Sequence, residues 1–227
     1  MIPGTDCVVN IDLDVIDLLK EIIKKNSSYK EQIIDAYMNV KAELGRRPSY
    51  LEMYLQSGFY DINIAREFGS YVGMLKQADE LTAEELIAFE KHEQLLVEIE
   101  KTAMTKSYKM VILKGMLERG AANWYKAITA PELAPSFTQY LAHPTRSRID
   151  TIDPAEKKVI SLIEKMPMTK WSGSSKGLLY FEDDTFGFNV EIELDMQEMI
   201  YDWVKEICEF RLNRYFARKA EKKGKVN

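Results

Sequence analysis

The same helix-start signal occurs three times in the first half of the chain, and it constrains the fold more than any other feature. The pairs are Ser28 with Glu31, Ser49 with Glu52, and Thr82 with Glu85. In such a capping box, the hydroxyl and the carboxylate each accept a hydrogen bond from a backbone amide that the first helical turn leaves unpaired. The spacing therefore predicts a succession of helices rather than strands.

Apolar residues that recur at three and four positions predict where the N-terminal helices run. We expect helices over 14–25, from Ser28 to a stop at Gly45, from Ser49 to Gly58, over 61–69, from Ser70 onward, and over 84–101. Glycine after the last apolar residue is a common helix stop, because it adopts the left-handed conformation without strain.

The second half of the chain has a different pattern. Helices are predicted over 108–118, from Pro131 to Leu141, from Pro154 through Ile163, and from Asp195 to near the end. A segment rich in Ser, Gly and Lys at 167–176 is predicted to be a loop. Apolar clusters on either side of Asp183, Asp184 and Thr185 predict a single β-hairpin at 178–193, because acidic residues followed by threonine favour a turn.

These patterns indicate a mainly α fold in two units. The first, residues 1–100, is helical, and the second, residues 101–227, is an α+β unit with one hairpin and a long C-terminal helix. A length of 227 residues is enough for two small domains.

Composition excludes several classes of protein. With 46% hydrophobic and 11% aromatic residues, the chain is expected to fold rather than to be disordered. It has no apolar stretch of the length that spans a membrane and no secretory leader pattern, so we expect a cytoplasmic protein. Cys7 and Cys208 lie far apart without neighbouring ligands, which argues against a zinc site, and Cys208 is expected to be buried.

The net charge of −5 conceals alternating charged blocks. Residues 79–100 carry −7, 101–126 carry +5, 182–206 carry −8 and 211–227 carry +6. The two basic blocks also contain aromatic residues, a combination compatible with nucleic-acid binding. The alternative is that these blocks are solvated helix faces and that aromatics such as Trp124 and Tyr125 belong to the core.

No catalytic motif is evident. The glycines at 173 and 177 neither follow a strand nor open a helix, so they do not form a phosphate-binding loop. The acids between Glu182 and Glu193 could bind a metal, but turn formation explains Asp183 and Asp184. His92, in an acidic helix, is expected at the surface. We predict no cofactor, no metal and no independent catalysis, and we keep a metal-dependent nuclease as an alternative.

The segment 42–78 resembles the helical repeat associated with homing and HNH endonucleases. The matching residues are Leu44-Gly45-Arg46-Arg47-Pro48-Ser49, then Gly58, Ile64, Phe68-Gly69-Ser70-Tyr71 and Leu75. The resemblance implies a helix-turn-helix-like module with a recognition helix at about 61–68. Asn63 and Arg66 would then face DNA, and Arg46 and Arg47 would reach phosphates.

A broader likeness extends over residues 1–218. The segment 104–110 with Leu113, and Arg211 to Phe216, resemble the region that follows the motor domains in bacterial superfamily II helicases of the restriction and phage-defence kind. This resemblance implies that the second unit is winged-helix-like. No motor motif accompanies it, so an ATPase role is not implied.

These observations lead to a hypothesis and an alternative. The chain is expected to be a DNA-binding accessory region that positions DNA for a helicase motor or nuclease supplied elsewhere, with Lys106, Lys109 and Lys114 adding phosphate contacts. The alternative is a helical adaptor that binds protein or self-associates. The oligomeric state is left open.

Overall fold

The computed structural model describes residues 27–57 and 64–224, and these residues are mainly helical with a small antiparallel sheet. The predicted mainly α fold is therefore confirmed. The predicted helix at 14–25, the stop at Gly58 and the residues 61–63, which include Asn63, lie outside the described residues.

The capping boxes start helices where the sequence places them. The N-terminal helices are α1 (Tyr29–Leu44), α2 (Tyr50–Gln56), α3 (Ile64–Phe68), α4 (Tyr71–Gln77) and α5 (Ala83–Lys101). Both hydrogen bonds of the box are present at Ser28, Ser49 and Thr82. Gly45 ends α1 with a φ of 66°, as predicted.

The remaining helices follow along the chain, with three short strands among them. They are α6 (Tyr108–Leu117), β1 (Ile128–Thr129), α7 (Ala130–Leu141), α8 (Pro144–Ser147), α9 (Glu156–Ile163), α10 (Thr169–Ser174), β2 (Leu179–Glu182), β3 (Thr185–Phe188) and α11 (Gln197–Gly224). A π-helical turn, Glu164–Met168, joins α9 to α10.

The predicted hairpin is confirmed at its turn but is shorter than expected. β2 pairs with β3 in antiparallel register, and Asp183 and Asp184 form the turn with φ of 47° and 60°. The second strand ends at Phe188 rather than near 193. β1, which the sequence did not reveal because it is two residues long, pairs with the other edge of β3 to give the order β1-β3-β2.

The prediction of a loop at 167–176 is wrong, because most of this segment is helical. Trp171 is the cause. Its side chain is fully buried, packs near the rings of Phe186 and Phe188, and donates a 2.9 Å hydrogen bond from Nε1 to Glu98 Oε1. Burial of this ring outweighs the weak helix propensity of the surrounding serines and Gly173.

The C-terminal helix α11 packs against α2, α5 and α6, so it contacts elements on both sides of the predicted boundary at residue 100. One cluster of buried side chains extends through all of these helices. Trp203, Ile207 and Phe210 contribute to it from α11. The division into units 1–100 and 101–227 stays a prediction.

Individual burial predictions have mixed outcomes. Cys208 is buried, as expected, and Trp124 and Tyr125 belong to the core, as the alternative to nucleic-acid stacking has it. His92 is not at the surface: it is 7% exposed, and its Nε2 lies 3.5 Å from the Glu193 carboxylate that approaches α5 after β3. None of the helices within the described residues is long and apolar enough to cross a membrane.

Candidate nucleic-acid interface

The two arginines of the predicted DNA-facing turn are both engaged in ion pairs. Arg46 Nη2 lies 2.5 Å from Glu52 Oε1, and Arg47 Nη1 lies 2.5 Å from Glu85 Oε1. Arg47 also donates to the backbone carbonyl of Glu80. The hydrogen bond from Arg46 is the largest of the interactions that lower the pKa of Glu52 to about 2. These contacts fasten the turn to the first turns of α2 and α5, and the proposed phosphate contacts there stay a prediction.

The predicted lysines of the first basic block, residues 101–126, also contact other side chains of the protein. Lys106 Nζ lies 3.1 Å from the buried Asp150, and Lys109 Nζ donates to Thr102 Oγ1 at 2.9 Å. Burial is the largest cause that lowers the pKa of Lys109. Lys114 is partly buried, with its Nζ 6.0 Å from the centroid of the Tyr140 ring. The structure does not gather these lysines into one site with Arg46 and Arg47.

A different basic site is formed where α11 passes the end of α5. A cleft of about 680 Å³ lies between the second half of α11, the segment 100–104, α3 and the start of α2. Its cationic lining residues are Arg66, Lys101, Arg211, Arg214, Arg218, Lys219 and Lys222. Among the described residues that line it, Glu100 is the only acid. We call this site the basic cleft.

Helical spacing places four of these cations on one face of α11. Arg211, Arg214, Arg218 and Lys222 follow one another at three- and four-residue intervals, which is the spacing of one helix face. At 1.5 Å per residue, they extend over about 16 Å of the helix. The basic cleft therefore presents a row of cations rather than a single charge.

Four cations of the basic cleft on α11 differ from the predicted site residues in their pairing. Arg214, Arg218, Lys219 and Lys222 form no ion pair with any acid in the part of the chain that the structure describes. Arg218, Lys219 and Lys222 are exposed, and the Nε of Arg214 is buried without a hydrogen-bond partner. These four side chains keep their charge available for an anion.

Arg211 has a structural task at the bottom of the basic cleft. Its guanidinium donates 2.5 Å hydrogen bonds to the carbonyl oxygens of Ile99 and Thr102, which the end of α5 leaves without helical partners. Burial lowers the pKa of Arg211 to about 10, so it stays charged near neutral pH. It anchors α11 to α5 and adds positive potential to the floor.

Beneath the cations lies the buried carboxyl of Glu100. It accepts hydrogen bonds from Tyr50 Oη at 2.6 Å and from the backbone amide of Tyr71 at 2.8 Å. Burial raises its pKa to about 7, against the lowering effect of these hydrogen bonds and of the nearby Arg211. The floor of the basic cleft thus contains a buried carboxyl whose pKa is raised by desolvation.

Of the six predicted site residues that the structure describes, Arg66 is the one that lies at the basic cleft, where it also pairs with Glu67 at 2.7 Å. The α11 residues were missed as site residues, although the +6 block at 211–227 signalled them. A helical projection of that block would have shown that Arg211, Arg214, Arg218 and Lys222 share one face.

The acids at 182–193 do not gather into a metal site. Within the described residues, no group of three or more His, Cys, Asp or Glu side chains could hold a metal ion. Comparisons of the chain with protein-family models, with curated proteins and with solved structures find no match.

Proposed function

We propose that this chain is a DNA-binding accessory region that holds DNA through the basic cleft and positions it for a helicase motor or nuclease supplied elsewhere. The observation that carries the proposal is that Arg214, Arg218, Lys219 and Lys222 form no ion pair with any acid of the described residues. Cations without partners are expensive to cluster unless an anion neutralises them, and the phosphate backbone is a regularly spaced anion. The resemblances of segments 42–78 and 104–110 supply the DNA and helicase context.

The proposed binding mode is neutralisation of phosphates along one helix. Arg214, Arg218, Lys219 and Lys222 would each contact a phosphate and release a condensed counterion. The logarithm of the binding constant for duplex DNA should then fall with the logarithm of salt concentration with a slope of about −3.6 from these four side chains. Arg66 and Lys101 also line the basic cleft and would add to the attraction.

Fluorescence anisotropy with a labelled 20-base-pair duplex over a salt series tests the proposal. The variant with Arg214, Arg218, Lys219 and Lys222 all replaced by alanine should bind at least tenfold more weakly. Its salt slope should be flatter by about three to four, because each lost phosphate contact removes about one counterion.

A matched control removes the same charge from another face. Lys157, Lys158, Lys165 and Lys170 are exposed around α9 and α10 and do not line the basic cleft. Their fourfold alanine variant has the same net charge as the cleft variant. Equal loss of affinity in both variants, or no binding by the native chain at low salt, would refute the proposal.

Two further measurements address the predicted turn and the accessory role. The Arg46→Ala, Arg47→Ala double variant should change affinity by less than about threefold if the ion pairs keep both guanidiniums from DNA. The chain alone should neither hydrolyse ATP nor cleave bound DNA with magnesium or manganese. Cleavage would instead favour the nuclease alternative.

A further inference from the structure

The last turns of α11 are open to solvent on all sides. Every residue from 217 to 222 is exposed, and the helix continues to Gly224. Because an α-helix completes a turn in 3.6 residues, an exposed run of this length includes every face of the helix. We call residues 217–224 the α11 end. It carries four cations, Arg218, Lys219, Lys222 and Lys223, against the single acid Glu221.

The basic cleft lies on one side of the helix where the α11 end begins. Arg214 and Arg218 line the cleft from α11, and Lys101 lines it from the end of α5. The side chains of Lys101 and Arg218 are exposed. Cations therefore flank the α11 end on this side.

A second group of cations starts on the opposite side of α11. At 100° per residue, Phe216 is about 160° around the helix from Arg218, so it faces away from the basic cleft. The Phe216 ring lies 6.4 Å from the Tyr140 ring, and the Arg146 guanidinium lies over Tyr140 at 3.9 Å from the ring centroid. Arg146 forms no ion pair with any acid in the part of the chain that the structure describes.

Lys106 belongs to the same group. Its ammonium lies 3.1 Å from Asp150 Oδ1, the oxygen that also accepts a 2.8 Å hydrogen bond from Tyr215 Oη on α11. The Asp150 side chain is fully buried whereas that of Lys106 is 44% exposed, so the ammonium and not the carboxylate meets the solvent. We call Lys106 and Arg146 the second cation group.

A helix with cations on both sides has the arrangement that suits the major groove of duplex DNA. The groove is about 12 Å wide, and a helix with its side chains is about 10–12 Å across. The groove is bordered by the phosphates of both strands, so a helix in it brings the cations on its two sides next to different strands. The minor groove, about 6 Å wide, is too narrow for a helix.

From these observations we infer that the α11 end lies in the major groove of duplex DNA, with the basic cleft on the phosphates of one strand and the second cation group on those of the other. The inference rests on the proposed function and specifies how the DNA is held. It also adds Arg146 to the residues that contact DNA.

Fluorescence anisotropy with two matched duplexes tests which groove is occupied. One duplex has ordinary cytosines and a run of A·T pairs; in the other, glucosylated 5-hydroxymethylcytosine replaces cytosine and fills the major groove without changing the phosphates. The modified duplex should bind at least about fivefold more weakly. Netropsin, which occupies the minor groove of A·T runs, should change the affinity for the ordinary duplex by less than about twofold. Equal binding of the two duplexes, or displacement of the chain by netropsin, would overturn the inference.

A single proline separates an inserted helix from a basic tail of any conformation. Ala220→Pro keeps every charge but removes a helical hydrogen bond and breaks the α11 end, which is exposed. Binding should weaken by at least about fivefold, with the urea unfolding midpoint unchanged. The matched Ala220→Ser variant keeps the helix and should stay within about twofold of the native chain. If Ala220→Pro binds as tightly as the native chain, the inference is wrong.

The double variant Lys106→Ala, Arg146→Ala tests the second cation group. Loss of two phosphate contacts should weaken binding and flatten the salt slope by about 1.8. The matched control is Lys157→Ala, Lys158→Ala, which has the same net charge and changes exposed lysines of α9. An unchanged slope in the first variant, or equal flattening in the control, would contradict the inference.

Failure of the inference can be told apart from failure of the proposed function. If the native chain does not bind the ordinary duplex at low salt, the proposed function fails and the inference fails with it. If the fourfold alanine variant of the basic cleft loses binding while the native chain binds the modified and ordinary duplexes equally, the proposed function stands and the inference is wrong.

Discussion

Replacing Glu100 by glutamine should change how stability depends on pH, because this carboxyl is buried beneath the cations of the basic cleft. Glutamine keeps the shape of the side chain. Its amide oxygen can accept from the Tyr71 amide, and its NH₂ group can donate to Tyr50 Oη, which then accepts instead of donating. The variant removes ionisation with little change in packing.

The sign of the effect follows from the direction of the pKa shift. Burial raises the folded-state pKa from 4.5 to about 7, so the unfolded chain releases this proton first as pH rises. Stability from this group is fully present below pH 4.5 and is lost as the pH rises towards 7. Relative to a carboxyl whose pKa stays at 4.5 on folding, Glu100 lowers the free energy of unfolding by about 1 kcal/mol at pH 5 and by about 3 kcal/mol at pH 7.

Urea unfolding of the native chain and of Glu100→Gln at pH 5, 6, 7 and 8 measures this difference. The gap in unfolding free energy should move by about 2 kcal/mol in favour of the glutamine variant between pH 5 and pH 7. Other titrating groups, including the partly buried Glu206, cancel when the two curves are subtracted.

Glu93→Gln is the matched control, because Glu93 lies on the same helix with its side chain exposed. It reports what the substitution does without burial. A gap between the native chain and Glu100→Gln that stays constant within about 0.5 kcal/mol over this pH range would refute the reasoning that desolvation governs this carboxyl.

Two further pairs of substitutions test packing and the buried polar contacts, with urea unfolding followed by circular dichroism. Gly73→Ala should destabilise the fold by about 1–3 kcal/mol, since a Cβ there would clash with the carbonyl oxygen of Phe68. Gly173→Ala, whose added Cβ would meet nothing within 4 Å, should instead stabilise its helix by about 0.5–1 kcal/mol, and equal effects would contradict the reasoning. Asp150→Ala should lower the free energy of unfolding by about 3 kcal/mol, because it leaves the Ser107 amide and Tyr215 Oη without their acceptor. Lys106→Ala should lower it by less than about 1 kcal/mol, because the Lys106 ammonium is partly exposed. The reverse order would be inconsistent with these contacts.

Local helix signals were predictable because they depend on neighbours in the sequence. The capping boxes at Ser28, Ser49 and Thr82 satisfy amides three residues away, so their geometry follows from spacing alone. The acidic turn of the hairpin is similarly local. The prediction of a loop at 167–176 was wrong because the position of Trp171 depends on residues far away in sequence, among them Glu98 and Phe186.

The candidate site shows the same limit. The sequence revealed that 211–227 is basic, but it could not show which cations have acidic partners. Arg47 forms an ion pair with Glu85, 38 positions away, and Lys106 forms one with Asp150, 44 positions away, because folding brings these residues together. Arg214, Arg218 and Lys222 have no acidic partner among the described residues, so cations without ion pairs lie on α11 rather than at the turn at 46–47.

The sequence by itself determined the mainly helical fold, the starts of most helices, the hairpin turn and the alternation of charged blocks. These depend on interactions within a few residues or on composition. Only the tertiary structure decided which charges neutralise one another, where Glu100 is buried, and that the end of α11 lines a basic cleft with α3 and α5. Charge pairing and burial depend on distances in space, which residues far apart in the chain acquire only on folding.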